Sequence, residues 1–162
     1  MGGVVLLASV ARADAPSNQY ELFNENNVFI QDHFTGLMWE RYPQGWPAGI
    51  LLTFTDAVAH CNQLSLDGYT GWRLPSYKEL MTLVDEAPHV EYEDGILVTK
   101  WIDGNAFPQA AVGTPYWTSS VFPASGGASG FDNIYALSFF TGVPAEQDTT
   151  LPSSTLLARC VR

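Results

Sequence analysis

The residues able to do chemistry are few and poorly grouped. His33, His60 and His89 are scattered along the chain, and Cys61 and Cys160 stand far apart without a CxxC pattern. A zinc site needs three or four Cys, His or carboxylate ligands in close reach, and nothing in these spacings favours convergence. Asp85, Glu86, Glu91, Glu93 and Asp94 crowd one stretch. They supply enough carboxylates for a glycoside hydrolase, which sets two of them across a cleft. A charge run of this kind reads better as a solvated acidic face. Ser119 and Ser120 follow Trp117 without the GxSxG turn that exposes a serine nucleophile. The chain reads as a non-enzyme, with carboxylate-based glycoside hydrolysis as a distant alternative.

Net charge narrows the partners. Seventeen acidic residues face seven basic ones, a formal charge of -10, and Lys78 and Lys100 are the only lysines. Binding nucleic acid or an anionic membrane needs clustered Lys and Arg, so both are excluded as partners. At 162 residues the chain is one domain's worth. Residues 1–15 read as a signal peptide without its basic start: an apolar run from Val4 to Ala11, then Ala13-Asp14-Ala15 before Pro16. A buried first strand is the alternative. Residues 16–162 form the single domain, expected to be exported to the periplasm, the cell surface or the medium, with no membrane insertion after cleavage. Two cysteines in such a compartment usually pair; two buried free thiols are the other reading.

The elements expected around these groups are mixed. "VFIQDHFTGLMWER" gives two strand-like runs about a turn at His33 to Gly36. "TFTDAVAHCNQL" is a helix capped by Thr53 or Thr55, with Phe54, Ala57, Val58, Cys61 and Leu64 on one face. Within "GYTGWRLPSYKEL", Ser76 and Glu79 make a capping box for a second helix, whose apolar side is Leu80, Leu83 and Val84. Trp72 has the size to plug the corner between the helices, and Arg73 is read as paired with a buried carboxylate. Residues 87–115 read as loop, "YWTSSVF" and "NIYALSFF" as strands, and "LPSSTLLARCVR" as a final strand. The class is α+β.

These landmarks, in order, resemble the C-terminal domain family of the Legionella collagen-like adhesin. The match is carried by Asp32 with Thr35-Gly36-Leu37-Met38-Trp39; Ala57 with Cys61 and Leu64; Trp72-Arg73-Leu74-Pro75 with Glu79-Leu80; Tyr116-Trp117-Thr118-Ser119-Ser120; and Arg159-Cys160-Val161-Arg162. His60 stands where the family has an aromatic residue. The resemblance implies a C-type-lectin-like fold, two helices packed on small antiparallel sheets with long loops, and a disulfide from the first helix (Cys61) to the last strand (Cys160). The family's best-known member resembles a trimeric adhesin for sulfated glycosaminoglycans, an activity this acidic chain is poorly equipped for.

The C-type-lectin-like fold places its variable loops on one face, here residues 88–115 and 122–133. Those loops and the strand start beyond them hold Trp101, Asp103, Asn105, Phe122, Asp132, Asn133 and Tyr135. Rings beside Asn and Asp suit a neutral sugar or a peptide, by stacking and directional hydrogen bonds. The Glu-Pro-Asn and Trp-Asn-Asp motifs of calcium-dependent lectins are absent. Phe131-Asp132-Asn133 offers two oxygen ligands, which make no calcium site alone; no cofactor is expected, with calcium as an unsupported alternative. The resulting expectation is a recognition domain for a glycan or protein ligand. A homo-oligomeric tip module of a surface assembly is the alternative.

Overall fold

The computed structural model describes residues 15–23, 28–43, 49–93, 95–108, 110, 113–122, 133–147 and 154–162. Most of the segment read as a signal peptide lies outside them. The described chain is α+β. Strands β1 (Tyr20–Phe23), β2 (Phe29–Asp32) and β3 (Met38–Glu40) form an antiparallel sheet in sequence order. The expected turn between β2 and β3 forms as read. Asp32 organises it, its Oδ1 accepting from Phe34 N at 2.9 Å and its Oδ2 from Thr35 Oγ1 at 2.7 Å.

Helix α1 (Phe54–Gln63) starts where the sequence places it, with Thr53 Oγ1 accepting from Asp56 N. Ala57 and Cys61 are buried; Phe54, Val58 and Leu64 lie half-buried beside them. Helix α2 (Tyr77–Met81) has the full capping box: Glu79 N donates to Ser76 Oγ and Ser76 N to Glu79 Oε2. It is shorter than expected. Thr82 Oγ1 bonds back to Glu79 O, and Leu83 N reaches Leu80 O, which ends the helix in tighter turns. Leu80 and Leu83 still enter the core.

The remaining strands are β4 (His89–Glu93), β5 (Ile96–Lys100), β6 (Tyr116–Phe122), β7 (Asn133–Ser138) and β8 (Val143–Gln147). The last three make an antiparallel sheet, whereas among the described residues β4 and β5 pair only with each other. This hairpin occupies part of the stretch read as loop. The C-terminal segment, read as a strand, forms none over its described residues 154–162. Leu156 bridges Leu52, Leu157 bridges Tyr116, and Val161 bridges both Trp39 and Arg73. Each residue meets a different element, so no continuous ladder forms.

That segment closes the fold. Cys160 is bonded to Cys61 at an S–S distance of 2.03 Å, tying α1 to the C-terminus. Arg159 is wholly buried; its Nη1 donates to Glu40 O and Arg41 O at 2.7 and 2.8 Å, and its guanidinium lies over Phe107 and Tyr116. Trp39, Trp72 and Trp117 are buried in the core. The Trp72 indole donates to Tyr69 O, and its ring lies in the same core cluster as Ala57 and Cys61 of α1. Arg73 does pair with a carboxylate, but not a buried one. It clasps Glu79 through both nitrogens, at 2.9 and 2.6 Å, at the half-exposed start of α2. Pro75 is buried behind this pair, its carbonyl accepting from Ser119 N.

Candidate functional site

Val90, Tyr92, Val98 and Thr99 are β-branched or aromatic, types that favour extended backbone. Gly95, at φ +81°, supplies the left-handed turn between the two strands. The register sets Val90 opposite Thr99 and Tyr92 opposite Leu97. Directly opposed residues share a face, so Val90, Tyr92 and Leu97 form one apolar surface. It is open to solvent: Tyr92 is 77% exposed, Leu97 58% and Val90 53%, with Ile96 at the turn 68% exposed. Large apolar side chains gathered on one exposed element are informative in a way that a single exposed leucine is not.

The base of this hairpin is firmly held. Lys100 is buried, and His89 Nε2 lies 2.7 Å from Asp85 Oδ2. Trp101 N donates to Phe139 O, and Asp85 N to Trp101 O. The Trp101 ring packs against Gly142, where a Cβ would stand 3.0 Å from Cδ2. Trp101 is thus half-buried and acts as an anchor for the hairpin.

The other residues nominated from sequence fall in separate places. Asp103 is buried, its Oδ1 accepting from Asn105 N and Ala106 N at 2.8 Å each. Asn105 is exposed, and its carbonyl accepts from Arg41 Nη2 while Ala106 O accepts from Arg41 Nε. Asp103 and Asn105 therefore share one turn. Asn133 pairs with Phe122 across β6 and β7, and Tyr135 packs on Tyr77 at 5.4 Å between ring centroids. Asp132 and the Phe122 side chain lie outside the described residues. Ser119 and Ser120 are engaged locally, Ser119 Oγ with Pro75 O and Ser120 Oγ with Tyr77 N.

Two shallow grooves flank residues 15–20. One of about 420 Å³ reaches Phe34 and Asp85; one of about 220 Å³ reaches Asp103 and Ala106. Tyr20 lines both. Burial, then the carboxylates of Asp32, Asp85 and Asp103, push its phenol well above its ordinary range, with Arg159 opposing. Tyr20 stays a neutral phenol and cannot serve as a base near neutral pH.

A cluster that sequence spacing hides sits at the disulfide. Glu40 is buried; its Oε2 accepts from Cys160 N at 2.9 Å, and its Oε1 lies 3.4 Å from His60 Nε2. Glu40, His60 and Cys160 each bring one ligand-type atom within 4.8 Å of the others. In the oxidised protein the Cys160 sulfur is committed to Cys61. Glu40 belongs to β3, far from both cysteines in sequence, so only the fold could reveal it. The hairpin patch left a fainter signal, the β-prone run from Val90 to Thr99.

No curated protein and no solved structure matches the chain. No described helix is long and apolar enough to cross a membrane. The family model for the Lcl C-terminal domain matches residues 28–162, which contains both helices, seven of the eight strands, the disulfide and the hairpin. The chain belongs to the Lcl C-terminal domain family.

Proposed function

We propose that this is a non-catalytic, exported recognition domain that binds a protein ligand through the apolar face of the 89–100 hairpin. The family supports a surface-associated, adhesin-like role. The observation that carries the finer reading is the exposed set Val90, Tyr92 and Leu97 on an element that no other described strand pairs. An isolated two-stranded hairpin is marginal in water by itself. Its clamped base supports its being displayed as a projecting arm. Aliphatic side chains around a single tyrosine suit a protein surface better than a sugar, which asks for directional polar groups beside the ring. The same stretch carries Glu91, Glu93 and Asp94, and the chain is at -10. A neutral or basic ligand fits that charge; a second copy of the chain brings the same sign and is disfavoured.

A C-type-lectin-like fold belongs to the same proposal, supported by the tie between the first helix and the C-terminal segment. The absence of a catalytic role is supported by the local engagement of Ser119 and Ser120 and by the neutrality of Tyr20.

The test compares wild type with a Val90→Ser/Tyr92→Ser/Leu97→Ser variant on a panel of immobilised extracellular proteins and on a glycan array. Light scattering of both proteins in solution accompanies it. Loss of a central apolar anchor set costs about 2 kcal/mol or more, roughly 30-fold in affinity. Protein binding that falls by that factor, with urea midpoints unchanged, supports the reading. Glycan binding indifferent to the variant overturns it, as does self-association that the variant abolishes.

A further inference from the structure

We propose that reduction converts the Cys61–Cys160 junction into a four-ligand zinc site made of both cysteines, His60 and Glu40. The ligand chemistry is complete. Two sulfurs, an imidazole and a carboxylate match the ligand types that tetrahedral Zn(II) accepts. The atoms are also close: Glu40, His60 and Cys160 lie within 4.8 Å of one another, and Cys61 Sγ is bonded to Cys160 Sγ. With metal–ligand bonds of about 2.0–2.3 Å, the ligands of a tetrahedral zinc stand roughly 3.3–3.8 Å apart. The two sulfurs must part from 2.03 Å to that spacing, and Glu40 and His60 must draw in from separations of up to 4.8 Å.

The surroundings favour such a site. Glu40 Oε2 is fixed by Cys160 N, which orients the carboxylate and leaves Oε1 beside His60 Nε2. Outer hydrogen bonds of this kind hold metal-binding carboxylates and histidines in place. Both cysteines and Glu40 are buried, while the His60 side chain keeps 13% of its surface exposed and marks the way in. Lining the fold with a carboxylate and an imidazole against a disulfide costs desolvation that a purely apolar lining avoids. In the reduced protein the same two groups become ligands.

The redox step balances with a dithiol as reductant. The dithiol gives two electrons to the Cys61–Cys160 bond and closes to its own disulfide, and its two protons end on the two protein sulfurs. Zn(II) then releases both thiol protons to solvent and takes two thiolates, neutral His60 and ionised Glu40. Bond and metal are mutually exclusive, so bound Zn(II) slows reoxidation.

The test uses the full chain reduced by a water-soluble phosphine under nitrogen and titrated with Co(II), then Zn(II). The expected result is one Co(II) per chain, with tetrahedral d–d bands and thiolate charge-transfer bands that Zn(II) displaces, and no such bands in the oxidised protein. His60→Asn and Glu40→Gln should each weaken Co(II) binding at least tenfold. Absence of tetrahedral bands overturns the proposal. So does equal affinity in wild type and both variants, the behaviour of two thiolates on an opened chain. If reduction unfolds the metal-free protein, near-ultraviolet circular dichroism gives the second readout. Recovery of the tryptophan signal by Zn(II) in wild type but not in the variants supports the site; no recovery in wild type overturns it.

Discussion

Removing the disulfide should be the most damaging change available that leaves the folded contacts intact. Cys61 and Cys160 are separated by 99 residues, so the bond restrains a loop spanning more than half the chain in the unfolded state. The chain-entropy relation gives about 4.7 kcal/mol at 25 °C for a loop of that length. Native stabilities run at about 5–15 kcal/mol, so the loss takes a large share of the total. For a chain of this size it lowers the melting temperature by roughly 10–20 °C. The native side should change little. Met38 and Arg162 exchange backbone hydrogen bonds, Val161 does the same with Arg73, and Cys160 N keeps Glu40 Oε2. The Cys61→Ala/Cys160→Ala protein should therefore fold, with a circular dichroism spectrum like that of wild type. Urea unfolding of the two proteins, with slopes compared, measures the difference. A loss below about 1 kcal/mol with equal slopes would refute the reasoning. It would mean that the unfolded chain already keeps these ends together without the bond.

Other perturbations test the local arguments. Hydrogen bonding from Arg73, against partial burial and helped by Ser76, holds the Glu79 carboxyl at about 2 rather than 4.5. A depressed folded-state value stabilises above the unfolded value, and that contribution disappears as pH falls from about 4.5 towards 2. Glu79→Gln should flatten acid unfolding in that window and cost roughly 1 kcal/mol at neutral pH, a modest figure because Arg73 is half in solvent. Gly142→Ala puts a Cβ 3.0 Å from the Trp101 ring at a φ of +65°; it should cost about 2 kcal/mol and shift Trp101 fluorescence. Gly95→Ala, with nothing near its Cβ, should cost only about 1 kcal/mol. Asp103→Ala strips the acceptor from two backbone N–H groups, and a loss near 2 kcal/mol in urea is expected.

Local signals in the sequence foretold local structure. Thr53 and the Ser76–Glu79 box act within three residues of themselves, and both caps form. The Asp32 turn is equally short-ranged. Reading failed where a residue's partner lies far along the chain. Arg159 is buried because Glu40 at the end of β3 and Arg41 just beyond it each offer a carbonyl, and Phe107 and Tyr116 offer ring faces. Nothing near Arg159 in sequence announces either. The C-terminal run looked like a strand because its apolar residues are buried, but they answer to several elements in turn. The hairpin was missed for the opposite reason. Val90-Glu91-Tyr92-Glu93 does alternate and Asp94-Gly95 is a hairpin turn pair, but the alternation sets an exposed apolar face against acidic residues and so reads as a charge run.

The placement of the cations sharpens the choice of ligand beyond what net charge could do. Lys100 and Arg159 are buried. Arg41 and Arg162 donate to backbone carbonyls of Asn105, Ala106 and Thr70, and Arg73 is clasped by Glu79. Five of the seven basic residues are thereby either buried or engaged by other groups of the chain. Sulfated polymers bind through arrays of cations free to release counterions, and those side chains could be recruited only by breaking the contacts that close the domain. A hairpin fixed at its base and apolar on one face asks for nothing of the kind. Its contact surface can change without disturbing Cys160, Arg159 or the tryptophans beneath. On the proposed reading, recognition and folding rest on different residues, and swapping Val90, Tyr92 and Leu97 should alter what is bound while leaving stability alone.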